Sequence, residues 1–295
     1  MLCGNLRSLL LVCVLLGQVG LAHADEVAPP AAPAVTPVVT GAELPAADAE
    51  AEDITAELAR NNHLLLRPGI IGLSISGEIN LGKDQVGKPI SIAPDLWYGV
   101  SQRLSLGLTH SAYATTGFWG GVASSFCVSS AESCPHRYGR VGVQSLVLLH
   151  HGQLSLAATG GILVSSAYDP FHLDGRLGIE GRWSAEHYAI RFSPQIVVGL
   201  NQRSADRDAL SVPIAIMYTG IFDRVAIGLQ TGLRAPFHAF ADNFTIPVGI
   251  GGLVNTTDSM MIGLSITFTQ LVAGGDVKGA ALDGRAMAVT ANWRI

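Results

Sequence analysis

The sequence predicts an all-β protein, an up-and-down antiparallel transmembrane β-barrel of about twelve strands, within a range of roughly ten to fourteen. Three observations predict it: strands with one apolar and one polar face, connections that alternate between short and long, and aromatic residues at strand ends beside the short connections. The barrel is expected to span residues 63–295, after a signal peptide (1–24) and a spacer (25–62).

The first strand shows the alternation most clearly. In the stretch IIGLSISGEINL, Ile71, Leu73 and Ile75 fall on one parity, and Ser74 and Glu78 on the other. A period of two indicates a strand with opposite apolar and polar faces. Similar segments follow, each near the length of about nine to eleven residues that a tilted strand needs to cross a bilayer: 92–100, 104–111, 138–149, 154–164, 173–183, 188–200, 210–218, 225–233, 244–254, 261–271 and 287–295.

The connections between these segments alternate in length. The short ones are 101–103, 151–153, 184–187, 220–224 and 255–259, and the long ones are 82–91, 112–137, 165–172, 201–209, 234–243 and 272–286. This is the pattern of an outer-membrane barrel whose two termini face the periplasm. A soluble β-sandwich has no reason to keep it.

Two of the short turns resemble each other and the turns of proteobacterial outer-membrane barrel proteins. YGVSQRLSLGL (98–108) and TGIFDRVAIGL (219–229) share glycine, arginine and a final Gly-Leu at matching positions. The last strand alternates up to Ile295 and looks like the C-terminal signal by which the barrel-assembly machinery recognises such proteins. That signal usually ends in Phe, whereas this chain ends in Ile. The resemblance implies a porin- or transporter-like architecture and no specific family.

Aromatic residues give an independent indication. Five of them lie at strand ends beside the short turns or the C-terminus, on the apolar parity of their strands: Tyr98, Trp183, Tyr188, Tyr218 and Trp293. Aromatic side chains favour the interface between hydrocarbon and headgroups. We therefore expect an aromatic girdle at this rim and membrane lipid as a partner of the outer face.

The N-terminus predicts export. Arg7 precedes an apolar segment (9–21), and Ala22-His23-Ala24 is an A-x-A site, so cleavage is expected after Ala24 and the destination is the Gram-negative outer membrane. The next stretch, 25–60, holds eight carboxylates and one arginine and no aromatic residue. It is expected to be a largely disordered periplasmic spacer with a possible short helix over 50–62.

The mature chain keeps two cysteines, Cys127 and Cys134, both in the longest connection. In an oxidising compartment they are expected to form a disulfide. Two cysteines with one nearby histidine make a poor metal site, so neither a metal nor a cofactor is expected.

If the apolar parity faces lipid, the polar parity lines the interior, since an outward arginine costs about 2–4 kcal/mol in the hydrocarbon zone. The predicted pore-lining residues are Glu78, Asp95, Asp174, Arg176, Glu180, Arg182, Arg191, Gln195 and Gln230. Their mixed signs fit either an ion-pair lattice that partly plugs the barrel or a wetted lining with a transverse field. Three loop lysines are candidates to meet lipopolysaccharide phosphate: Lys83, Lys88 and Lys278.

These features favour a narrow channel or passive transporter for small solutes. The alternatives are a structural or adhesive barrel that acts through its loops or spacer, an outer-membrane enzyme, and a soluble exported β-protein. Catalysis is not expected, because His110 and Ser111 are adjacent and so lie on opposite faces, and no His-x-Ser pair exists. Nucleic acid is not an expected partner, because the barrel segment is nearly neutral and has no basic patch.

Overall fold

The computed structural model describes residues 64–82, 86–87, 89–111, 126–130, 134, 137–168, 170–202, 208–222, 224–238, 240–275 and 284–295. The predicted signal peptide and its cleavage site, the spacer, and the lysines at 83, 88 and 278 lie outside these residues. No helix within the described ranges is long and apolar enough to cross a membrane.

The described chain is almost entirely strand. The elements in order are β1 (Ile71–Asn80), β2 (Ile90–Ser101), β3 (Leu104–Thr109), β4 (Phe126–Cys127), β5 (Val141–His150), β6 (Leu154–Ser166), β7 (His172–Ser184), β8 (Tyr188–Phe192), β9 (Gln195–Gly199), β10 (Ala209–Phe222), β11 (Val225–Pro236), α1 (Phe240–Asn243), β12 (Thr245–Thr257), β13 (Met260–Ala273) and β14 (Arg285–Arg294). The predicted strands match these bounds to within about four residues, and the largest difference is at β10, which runs to Phe222 rather than ending at residue 218.

The sheet closes on itself. β1 pairs antiparallel with β2 on one side and with β14 on the other, in a register that runs from Gly72 opposite Arg294 to Asn80 opposite Ala286. Every other transmembrane strand pairs with its neighbour in sequence. The described residues therefore form a closed antiparallel barrel of 12 strands, which confirms the predicted fold class.

β8 and β9 together occupy the position of the seventh strand of the barrel. Both segments pair with β7 and β10, and the pairing of Gly181 with Phe192 continues in the same register to Gly178 with Gln195. The break falls at Ser193 and Pro194, where proline has no N–H to give to the ladder. Proline thus divides one strand without displacing it.

The two faces of the barrel differ as predicted. In β2, Leu96 and Tyr98 are exposed on the outer face, while Asp95 and Trp97 between them are buried on the inner face. Leu177 in β7 and Ile250 in β12 are the most exposed large apolar residues of the described strands, each with 65% of its surface exposed. Every strand of the barrel has exposed apolar residues on its outer face. This is the surface that a membrane barrel presents to lipid.

The disulfide is present and belongs to the barrel wall. Cys127 and Cys134 are bonded, with their Cα atoms 5.7 Å apart. β4 pairs with β2 through Ser91 opposite Cys127, beyond the point where the short strand β3 has ended. β4, which carries one of the two bonded cysteines, therefore extends the wall at the rim of the long connections.

We expect the outer face to reject charge and the inner face to accept it. Ile75 is exposed outwards, and Ser76 lies on the inner face with its Oγ 3.2 Å from Thr290 Oγ1. Ile75→Arg should cost about 2–4 kcal/mol of folding free energy in lipid bilayers, and Ser76→Arg clearly less. Urea titration of the refolded variants in liposomes measures both. Equal costs at the two adjacent positions would contradict the assignment of the faces.

Candidate functional site: the interior of the barrel

All nine predicted pore-lining residues lie on the inner face. Seven of them are buried: Glu78, Asp95, Asp174, Glu180, Arg182, Gln195 and Gln230. The other two, Arg176 and Arg191, are half-buried. They are distributed unevenly, because Glu78 and Asp95 lie on β1 and β2, whereas Asp174, Glu180 and the three arginines lie on β7 and β8 across the barrel. Among these nine residues, the charges on one side of the interior are therefore all acidic, and those on the other side are of both signs.

Asp95 is committed to local structure. Its Oδ2 accepts a hydrogen bond from Ser111 Oγ at 2.6 Å, and its Oδ1 accepts one from Ser111 N–H at 2.9 Å and another from His110 N–H. These bonds fix the chain where it leaves β3. Asp95 therefore holds the start of the connection after β3 in place and also adds a carboxylate to the inner face.

Several polar groups of the interior are buried without a hydrogen-bond partner among the described residues. Gln230 has 0% of its surface exposed, and neither its amide oxygen nor its nitrogen has a hydrogen-bond partner among the described residues. Glu78 Oε2 and Gln144 Oε1 are likewise buried without such a partner in that part of the chain, although Gln144 Nε2 donates to Thr159 Oγ1 at 3.1 Å. A buried polar group costs about 1–3 kcal/mol when it has no partner. These groups are available to a polar solute or to water.

Arginines of two neighbouring strands face each other near the short turns. Arg182 in β7 pairs in register with Arg191 in β8, so their Cβ atoms lie directly opposite. Like charges in such a pair destabilise a sheet. Glu180, two residues away on the same face, acts electrostatically on Arg191 and offsets part of this cost.

A segment that the sequence analysis missed fills one side of the interior at this end. Leu64 and Leu65 are buried in an apolar cluster with Trp97, Leu146 and Ala157, all of which lie on the inner face. The backbone N–H of Leu66 donates to Ser105 Oγ at 3.1 Å. The stretch just before β1 is therefore part of the interior.

A tight turn sends this segment inwards. The N–H of Ile70 donates to the carbonyl of Arg67 at 3.1 Å, and Gly69 between them has φ of 81°. Proline followed by glycine with positive φ is the signature of a type II turn. Pro68 and Gly69 are a sequence signal that could have revealed a chain reversal before β1, and the sequence analysis did not use it.

The backbone of this turn lies directly against Gly99. A Cβ at Gly99 would lie 2.0 Å from the carbonyl oxygen of Arg67, and Gly99 exchanges hydrogen bonds with Gly69 and Ile70. Trp97 fits by the same means, because a Cβ at Gly107 would be 2.6 Å from its indole ring. Glycine at both positions makes room for residues 64–70, which we call the inserted segment, and for Trp97, against which this segment packs.

The five predicted girdle residues lie at the expected strand ends. Tyr98, Trp183 and Tyr188 are exposed, whereas Tyr218 and Trp293 are half-buried. Tyr188 and Tyr218 are paired in register, with ring centroids 4.9 Å apart. Further exposed aromatic residues lie at the opposite rim, in or beside the long connections: Tyr168, Phe171, Phe237 and Phe240. Strand periodicity did not reveal this second group, because its members lie outside the strands.

Comparison with known proteins identifies the fold and no family. No protein-family model matches the chain, and no curated protein matches it. A solved structure of the NanC porin aligns with 76% of this chain and 100% of that one, at 10% identity and a TM-score of 0.50. The fold is that of an outer-membrane porin.

Two further solved structures align over similar shares. An outer-membrane channel of Pseudomonas putida F1 covers 80% of this chain and 98% of its own, at 10% identity and a TM-score of 0.49. OmpF of Salmonella typhi covers 77% and 97%, at 7% identity and a TM-score of 0.40. Within the described residues, no group of three His, Cys, Asp or Glu side chains is arranged to hold a metal ion.

Gly99→Ala should dislodge the inserted segment. The new methyl group would overlap the Arg67 carbonyl, and overpacking of this kind costs about 1–3 kcal/mol. In a Leu64→Cys background, maleimide labelling of the buried thiol should become about tenfold faster. Gly252→Ala is the control, because its Cβ would lie 3.5 Å from the nearest atom. Equal labelling rates in the two variants would show that the segment does not rest on Gly99.

Proposed function

We propose that the protein is a passive outer-membrane channel for small solutes. The observation that carries the proposal is the reversal of polarity across the wall, with exposed apolar residues outside and polar and charged residues inside. Charges are expensive to keep away from water, so their concentration on the inner face fits a path that water and polar solutes enter. The nine inner-face residues named above are the proposed lining of the path.

The proposed path is narrow and narrowest at the short turns. The inserted segment occupies one side there, through Leu64 and Leu65. A second buried apolar cluster lies near the short turns on β8, β10 and β12 and consists of Ala189, Met217 and Leu253. Such a constriction selects solutes by size and by their hydrogen bonds and charge.

The same geometry supports the proposed surroundings of the barrel. We place the short-turn rim in the periplasm and the long connections outside the cell, as outer-membrane barrels do. The aromatic residues at both rims are the proposed contacts with the lipid interface. Lipopolysaccharide on the outer side, recognition of β14 by the barrel-assembly machinery and cleavage after Ala24 belong to this proposal.

A second candidate function has an observation of its own. The inner-face charges are buried to the extent that Asp95 has 1% and Glu180 3% of its surface exposed. An interior packed this closely also fits a closed barrel whose work is structural or adhesive and is done by its loops or its spacer.

Conductance separates the two candidates. Full-length protein in planar bilayers should give small, discrete current steps. Leu65→Asn should raise the mean conductance severalfold, because it weakens the contact of the inserted segment with Trp97 and Leu146. Val86→Asn, at an exposed position of a long connection, is the control and should change nothing. A folded, heat-modifiable protein that carries no current, even with Leu65→Asn, would favour the closed scaffold.

Labelling of single cysteines tests the orientation. Val86 is exposed beside a long connection, and the side chain of Glu186 is 81% exposed in a short turn. With an impermeant maleimide, Val86→Cys should react on intact cells, and Glu186→Cys only after the outer membrane is opened. The reverse pattern would overturn the proposed orientation and leave the channel itself unaffected.

A further inference from the structure

The third strand position of the barrel is filled by two separate pieces of chain. β3 has only 6 residues, whereas its neighbour β2 has 12. In the register that pairs Leu96 with Leu108, residue 113 would lie opposite Ser91, but Cys127 of β4 lies there instead. β4 therefore continues the third strand at the rim of the long connections, where β3 has already ended.

β4 contacts the chain on both of its sides, as a strand within the wall does. It pairs antiparallel with β2, in the same direction as β3. On the other side Phe126 forms a bridge with Tyr138, and the N–H of Cys127 donates to the carbonyl of Arg137 at 2.9 Å. Residues 137 and 138 directly precede β5, which is the partner of β3 on that side. β4 therefore closes the wall between β2 and the chain that leads into β5.

Side chains bridge the break between β3 and β4. The carboxylate of Asp95 accepts a hydrogen bond from the N–H of His110, and the carbonyl of Pro94 accepts one from Nδ1 of the same histidine. The ring of His110 also contacts that of Phe126, with centroids 5.6 Å apart, and Phe126 contacts Tyr138 at 4.8 Å. These contacts join the two pieces through side chains, whereas the backbone ladder from β3 does not continue into β4.

The disulfide supports a piece of strand that is weak by itself. β4 has two residues, and so short a strand has little stability of its own. The N–H of Val128 extends its pairing by a hydrogen bond to the carbonyl of Ile90 at 2.9 Å. Cys127 in β4 is bonded to Cys134, which is buried and whose N–H donates to the carbonyl of Ser130 at 3.0 Å. A disulfide restricts the conformations of the released chain, so it shifts the balance towards the paired state of β4.

We propose that the disulfide between Cys127 and Cys134 is a redox-sensitive latch on the barrel wall. In the oxidised protein β4 completes the third strand. In the reduced protein β4 separates from β2, and a notch opens between β2 and β5 at the rim of the long connections. The notch extends from Ile90 to Ala93, which is about 13 Å along the strand. The latch is a property of the wall and does not depend on the proposed channel function.

The reductant in this step is a dithiol, which supplies two electrons. One thiolate of the dithiol attacks Sγ of Cys127, which is half-buried, whereas Cys134 has 4% of its surface exposed. The S–S bond breaks, and Cys134 leaves as a thiolate and takes up a proton. The second thiol of the dithiol then displaces Cys127 from the mixed disulfide. Both cysteines end as thiols, and the dithiol ends as a disulfide.

Hydrogen exchange of single amides, measured by mass spectrometry on the full-length protein in detergent micelles, tests the latch. Dithiothreitol should accelerate exchange at Cys127 and Val128 by about tenfold or more, because their N–H groups lose their partners when β4 separates. The N–H of Ile90 in β2 donates to Ser129 Oγ and should accelerate with them. The amides of β12 and β13 are the internal control and should not change. Reoxidation with oxidised glutathione should restore the original rates.

A double variant separates the disulfide from other effects of the reductant. Cys127→Ser/Cys134→Ser should migrate as a folded, heat-modifiable protein, exchange like the reduced wild type and ignore dithiothreitol. Three results would overturn the latch. The first is a disulfide that dithiothreitol leaves intact in the folded protein, as read from the mass after alkylation. The second is faster exchange at Cys127 and Val128 while Ile90 stays protected, which means that β2 keeps its partner. The third is faster exchange in β12 and β13 as well, which means that the bond supports the whole barrel.

Discussion

The structure depends on the pairing of its first transmembrane strand with its last. In hydrocarbon no water is present to satisfy a free backbone N–H or carbonyl, so a sheet that spans the membrane has to close. β1 meets β14 over the whole length from Gly72 to Asn80 and leaves no edge. Closure also separates two environments, and the alternation of side chains along each strand then assigns every second residue to lipid and the rest to the interior.

Closure limits the space inside the barrel, so the inner face has glycine where another part of the chain comes close. Gly99 and Gly107 are two places where a single methyl group would collide with the inserted segment or with Trp97. The apolar contacts of Leu64 and Leu65 are made inside the barrel, and a second small apolar cluster lies on other strands. The inserted segment therefore fills interior space and contributes to the constriction of the proposed path.

The strands, their order and their faces could be predicted from the sequence, because period two and alternating connection lengths are local signals. Glu180 and Arg191 were assigned to the interior on this basis, and the structure places them there. Leu64 and Leu65 could not be placed, because a short apolar run before a strand has no periodicity of its own. The surroundings of Arg294 could not be predicted for a different reason: it ends the last strand, and only closure brings it opposite Gly72 of the first.

The short-turn mouth is thus made by the same residues that close the barrel. Arg294 is opposite Gly72 in the seam, and a Cβ at Gly72 would lie 3.0 Å from the side chain of Leu66 in the inserted segment. The inserted segment, the first residue pairs of the seam and the last arginine occupy one small volume. The interior exists only when β14 has met β1. The buried position of the inserted segment is therefore a property of the closed barrel rather than of any single strand.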